Sequence, residues 1–159
     1  MGKWLIALGI TGALVGCASD GLSRQDERAL YLKHAGPPVD RFQLFGQLSG
    51  WNPLDDHTLV VQTRPNESYL LQTTGRCQDL DWAPAIAITS LGSLVHARSD
   101  RITVLGGGTS VMRVSCRIES IRRLDTKAIR AQRAALRKAE TRERPAADAA
   151  DAVSTAPDR

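Results

Sequence analysis

The chain has 159 residues, 42% of them apolar but only 4% aromatic, which allows one modest core plus tails and excludes two full-sized domains. Its formal charge of +4 is unevenly distributed. From Cys17 to Ile121 ten Lys/Arg face eleven Asp/Glu, from Arg122 to Arg144 nine face three, and from Pro145 to Arg159 one faces three. One segment therefore holds the basic excess, and the rest of the chain is near neutral.

Residues 1–16 have the order of an export leader. Met1 to Lys3 give a positive start, Trp4 to Val15 an apolar run of about a dozen residues, and Gly16 a small residue before Cys17. That run is well short of the roughly 20 residues a membrane-crossing helix needs. LVGC, Leu14 to Cys17, resembles the bacterial lipobox read by lipoprotein signal peptidase. The resemblance implies cleavage before Cys17, lipidation of its sulfur and amine, and attachment to a membrane. At about 0.8 kcal/mol per buried methylene, several acyl chains anchor a protein far more firmly than one. Position 18 is alanine, not the aspartate that retains many such proteins at the inner membrane. The implied address is thus the outer membrane, facing the periplasm.

After a short linker, Ser23 with Asp26 three residues on forms a capping box in its acidic form. A helix is expected over about Arg24 to Ala35, with Gly36 as a left-handed stop and Pro37-Pro38 forbidding continuation. Its few apolar residues mean that it should lie against the domain. This lipidated N-terminus and helix make up 17–41.

A β domain is expected over 42–121. Phe42, Leu44 and Leu48 share a face of a first strand that bends at Gly46 and continues toward Trp51. HTLVVQT and SYLLQT flank Pro65-Asn66 as a hairpin from Thr58 to Thr73. Short strands follow at Ala85 to Thr89, Leu94 to Arg98 and Arg101 to Leu105. In a further, final strand Val114, Cys116 and Ile118 alternate with Arg113, Ser115, Arg117 and Glu119, with Cys116 on the inward side. Short strands this close in sequence favour antiparallel neighbours, in a curled sheet or small barrel, so the fold class expected is mainly β. Trp51 and Trp82 are expected to bring large side chains to its core.

The segment 122–144 is rich in Ala, Arg, Lys and Leu, and is expected to be a helix with a shallow stripe through Ile121, Leu124, Ala128, Ala131, Ala135 and Ala139. Its excess of six positive charges suits anionic lipid, acidic cell-wall polymer or an acidic protein, although a solvated helix without a ligand is an equal alternative. Export argues against nucleic acid. Residues 145–159, small, polar and acidic, are expected to be disordered.

With Cys17 lipidated, Cys77 and Cys116 remain as an even pair outside the cytosol, where pairs tend to close. Two buried free thiols or half of a metal site are the alternatives. The second is weakened by the lack of a C-x-x-C partner or a nearby histidine. A disulfide would tie the end of the hairpin to the last strand and so close the barrel.

Trp51 after Gly50, LVVQTRPNESYLL, Cys77 with Asp79 and Leu80, AIAITS, DRITV and CRIESIRRL together resemble a group of small Gram-negative lipoproteins of unknown function. The resemblance covers roughly Phe42 to Leu124 and implies a domain type without a site.

No catalytic constellation stands out. Asp55, Asp56 and His57 sit together on a turn, His34 ends a helix, and His96 belongs to a strand's wet face. Gly106 to Ser110 lacks the lysine of a phosphate loop. No cofactor and no metal are expected. A non-enzymatic envelope protein that contacts a partner, lipid or cell wall is the favoured expectation, with a small-ligand-binding barrel as the alternative. A cleft of at least about 300 Å³ with convergent polar groups would favour the alternative.

Overall fold

The structure, a computed structural model, describes residues 22–106 and 115–154. Cys17 and the leader lie outside the described residues, as do Val114 and the final five positions. Among the described residues two helices and nine strands occur in chain order: α1 (Arg24–Lys33), β1 (Ala35–Val39), β2 (Arg41–Gln43), β3 (Gly50–Asp55), β4 (Thr58–Arg64), β5 (Glu67–Thr73), β6 (Ala85–Ile88), β7 (Leu94–His96), β8 (Arg101–Leu105), β9 (Ser115–Leu124) and α2 (Thr126–Ser154). A single 3-10 turn at Leu80–Trp82 follows β5.

The strands form a strongly curled antiparallel half-barrel in the order β3-β4-β5-β9-β8-β6. β1 lies beside the C-terminal half of β9, on the edge that β8 occupies at its N-terminal half. A small ribbon of β2 and β7 stands apart from this sheet. Among the described residues the sheet does not close, since β3 and β6 are both terminal strands.

The hairpin lies where the sequence places it. Asn66 takes a φ of 67°, a left-handed conformation that asparagine tolerates better than most residues. Its strands carry unbroken apolar triplets, Leu59-Val60-Val61 and Tyr69-Leu70-Leu71, all six buried. Alternation along a strand sends neighbouring side chains to opposite faces, so such triplets require cover on both. Leu59, Val61, Tyr69 and Leu71 face the concave side with Ile102, Val104, Cys116, Ile118 and Ile121, and the ribbon adds Phe42, Leu44 and Val95. Val60 and Leu70 face outward against Leu30 of α1, Leu54, Leu124 and Ile129 of α2. Full burial contributes about 1.5–3 kcal/mol for each such side chain. The two helices are thus the second layer of the fold.

In β9 the inward residues Ile118 and Ile121 are three apart. A register shift against β5, between Gln72 and Thr73, absorbs the extra residue and lets both reach the same cluster.

The acidic capping box forms as expected. Ser23 Oγ accepts from the Asp26 backbone N–H at 3.1 Å and donates to Asp26 Oδ2 at 2.7 Å. The helix ends earlier than expected, at Lys33, and Gly36 is not among the residues with positive φ. Ala35–Val39 instead extends the sheet, so the β domain begins before residue 42. Its prolines are tolerable on an outer strand, where no neighbour needs their missing N–H. Arg122 of β9 fastens the strand further, donating from Nε to Gly36 O at 2.7 Å and from Nη2 to Ala35 O at 3.1 Å.

Four further expectations are corrected. Residues 42–51 form two strands, β2 and β3, because Gly46 with a φ of 71° turns the chain between them. Trp51 is half-buried against the core, but Trp82 is 81% exposed: buried Leu80 anchors its turn and leaves the indole outside. Ile121 and Leu124 belong to β9, not to the basic helix, so the inward stripe of α2 is Ile129, Gln132, Arg133 and Leu136, while Ala131 and Ala135 are exposed. Finally, α2 runs to Ser154, ten residues beyond Arg144, where a disordered tail had been expected. An alanine-rich stretch needs no apolar periodicity to be helical, and α2 continues through Pro145 although proline removes one backbone hydrogen bond.

Cys77 and Cys116 are joined by a disulfide. It does not close a barrel, because β5 and β9 are already hydrogen-bonded neighbours. It fixes the segment after β5 beneath the concave face, where the Cys77 N–H also donates to Asp56 O at 2.7 Å.

Tyr69 stacks on Phe42 with ring centres 4.6 Å apart, and its hydroxyl donates to Glu67 Oε1 at 2.7 Å. Burial, and then the Glu67 carboxylate, push the phenol up to about 12. The native state therefore holds this proton more tightly than the unfolded chain, whose phenol titrates near 10. The stabilisation is complete below pH 10 and is lost as pH rises toward 12. Stability measured by urea unfolding should fall across that window, and Tyr69→Phe should flatten the fall.

Candidate functional site

The ionisable residues noted in the sequence do not converge. Asp55 pairs with Arg28 at 2.5 Å and accepts from the His57 N–H at 2.7 Å, whereas Asp56 pairs with Arg76. The turn is held by divergent ion pairs to separate elements. His34 Nε2 lies 2.8 Å from Gln132 Oε1, joining the end of α1 to α2. His96 is half-buried, with its backbone N–H donating to Asp100 Oδ2 at 2.7 Å. Cys17 lies outside the described residues, and Cys77 and Cys116 are consumed by their mutual bond.

The feature with the makings of a site lies where α2 leaves the sheet. Val60, Leu124 and Ile129 give an apolar floor, and Tyr31, Trp51, Asn52, Gln62, Ser68, Arg130 and Arg133 line a groove of about 470 Å³. Residues of β3, β4 and β5, the first two turns of α2, and Tyr31 of α1 make its walls. The concave side is packed with its own core side chains, and this groove lies on the outer face.

Arg133 organises the groove. It pairs with Glu27, donates to Tyr31 Oη at 3.2 Å, and holds its guanidinium 5.3 Å from the Tyr31 ring centre. Its Nε is buried with no hydrogen-bond partner among the described residues. An unspent guanidinium N–H is costly to bury, and an anionic or carbonyl acceptor would satisfy it. Burial raises the Tyr31 phenol above its ordinary range, while Arg133 pulls it back in part, so Tyr31 is a neutral hydroxyl at physiological pH. Arg130 donates to Thr126 O at 3.2 Å and to Asn66 Oδ1.

A second, wider recess of about 900 Å³ adjoins the groove and shares Asn66, Leu124, Thr126 and Arg130 with it. Lys33, His34, Arg123, Asp125 and Lys127 also line it. Counted together, Lys33, Arg123, Lys127, Arg130 and Arg133 outnumber Glu27 and Asp125. The root of α2 is thus a cationic surface with an apolar floor. Farther along, Arg137, Lys138 and Ala139 are exposed.

Most of this was missed in the sequence because its members are far apart, from Tyr31 to Arg133. One signal pointed to it. The triplets around Val60 and Leu70 demanded cover on the outer face, and polar Gln62 and Ser68 on that same face mark where the cover stops.

The fold and this surface define a small, mainly β domain, stapled by one disulfide, with a basic helix rooted in its outer face. The chain belongs to a family of unknown function, DUF6491, whose model matches residues 1–140. No curated protein and no solved structure matches it.

Proposed function

We propose that the protein is a non-enzymatic envelope lipoprotein, held on the outer membrane through Cys17 and facing the periplasm, whose β domain binds a partner at the groove beneath α2. The observation that carries the reading is the juxtaposition in that groove of an apolar floor with Arg130, Arg133 and the amides of Asn52 and Gln62. This is a recognition surface for an acidic group set in an otherwise apolar or amide-rich ligand, as an acidic protein segment or cell-wall peptide provides. The lipobox resemblance supports the anchor, and the matched family model begins at residue 1, so it spans the proposed leader together with the domain. Bound to a membrane, such a module acts by position, keeping its partner at the surface.

A second reading has one specific observation in its favour. The groove exceeds the roughly 300 Å³ at which small-molecule sites begin, and it carries convergent polar groups. A small anionic ligand would then occupy the same place, on the outer face of the sheet and not within a barrel.

Photocrosslinking in intact cells tests the proposal. A photoreactive residue replacing exposed Gln62 in the groove should capture a discrete product, whereas one replacing exposed Gln43 on β2 should not. Arg130→Glu should abolish the Gln62 product while leaving protein level and thermal stability unchanged. Equal capture from both positions, or capture indifferent to Arg130→Glu, would remove the groove as the contact site.

A further inference from the structure

Trp82 is the most exposed large apolar side chain among the described residues. Nothing in the domain needs it there, because Leu80 already anchors the 3-10 turn in the core. The other exposed apolar groups have simpler settings. Phe45 lies under the Arg64 guanidinium at 4.0 Å, and Leu91 occupies the turn before β7.

The position of Trp82 in the fold gives it meaning. Arg24, the first residue of α1, donates from Nη1 to Asp81 Oδ2 at 2.7 Å, so the start of α1 is tied to the turn that carries the indole. Leu22, just before it, packs against the outer core cluster. The chain outside the structure therefore joins the domain at the Trp82 end. Only five residues, 18–22, separate Cys17 from Ser23, and fully extended they reach about 18 Å. A lipid on Cys17 would thus hold the start of α1, and the turn tied to it, close enough for Trp82 to reach the interfacial layer, where indoles are favoured because their apolar body and N–H face different media.

The surroundings are compatible with headgroups. Arg24 with Asp81 and Arg76 with Asp56 neutralise one another, and Asp79 of the turn has no ion-pair partner among the described residues. Nothing there favours an acidic partner, in contrast to the cationic root of α2.

We infer that the 3-10 turn at Leu80–Trp82 is the membrane-facing end of the domain, with the Trp82 indole seated in the lipid headgroup layer. This rests on the proposed lipid anchor. It adds an orientation: the domain touches the bilayer through the start of α1 and the Trp82 turn.

Fluorescence quenching decides it. The full chain, expressed with its leader and purified from membranes, is reconstituted into phosphatidylethanolamine and phosphatidylglycerol vesicles with brominated acyl chains. The expected result is quenched tryptophan emission, most of it lost in Trp82→Phe and retained in Trp51→Phe. Quenching absent in the wild type, or unchanged by Trp82→Phe, overturns the orientation. Intact mass on the same preparation separates the two failures. An acylated chain with Trp82 unquenched defeats the orientation alone, and an unacylated chain that stays off the vesicles defeats the anchor and the orientation together.

Discussion

Replacing both cysteines, Cys77→Ala with Cys116→Ala, is expected to lower the unfolding free energy by about 4 kcal/mol, the chain-entropy value for a link closing about 40 residues. Two further effects act in the same direction. Cys77 and Cys116 are both buried in the concave cluster, so their truncation leaves unfilled space. The segment after β5 is short of other anchors there, with Leu80 as its main apolar one. Urea unfolding of wild type and double variant, with and without reductant, measures the loss. Reductant should lower the wild type's midpoint most of the way toward the variant's, short of it by the cavity cost of the truncated side chains, and leave the variant unchanged. A difference within about 0.5 kcal/mol, the range of an ordinary surface substitution, would mean that the link is incidental to the fold.

The second large effect concerns α2. Ile129→Ala should cost about 2–5 kcal/mol, as truncation of a buried isoleucine does, because Ile129 closes the outer cluster over Val60, Leu70 and Leu124. Arg137→Ala, two turns farther on and exposed, should change stability by no more than about 0.5 kcal/mol. The contrast separates a helix whose root belongs to the core from one merely appended to the domain. Thermal or urea unfolding of the two single variants reads it. If both were silent, α2 would not be seated on the sheet and the groove beneath it would not exist as a fixed surface.

The local chemistry of the fold was largely legible. Ser23 with Asp26 announced the start of α1, and Pro65-Asn66 announced the hairpin, because each depends on backbone bonding within a few residues. The alternation around Cys116 placed its sulfur inside, and its pairing with Cys77 was expected from the even pair of cysteines that remains outside the cytosol once Cys17 is set aside. What failed depended on long-range partners. Ala35–Val39 reads as a helix terminator because glycine and proline are locally helix breakers, yet Arg122 and the free edge of β9 recruit it into the sheet. Ile121 and Leu124 fit a helical stripe with the alanines that follow, and only their pairing with β5 and β1 assigns them to a strand. Trp82 looked like core because large aromatics are scarce in this chain, but Leu80 had already filled the one inward position of that turn.

The candidate site was less legible still. Tyr31, Asn52, Gln62 and Arg133 are unremarkable one at a time, and what makes them a surface is the crossing of α1 and α2 over β3 to β5. The basic segment was visible as a charge run. That its first turns form a docked, partly buried root, with exposed cations beyond, required the contacts of Ile129 and Arg133.

The most direct test of an anchored, disulfide-stapled contact module is the intact mass of native protein extracted from membranes and alkylated without reduction. The expected species begins at Cys17, carries three acyl chains through its glyceride and amine, and takes up no alkylating agent. A chain retaining residues 1–16 unmodified, or one that gains two alkyl groups, would contradict the account.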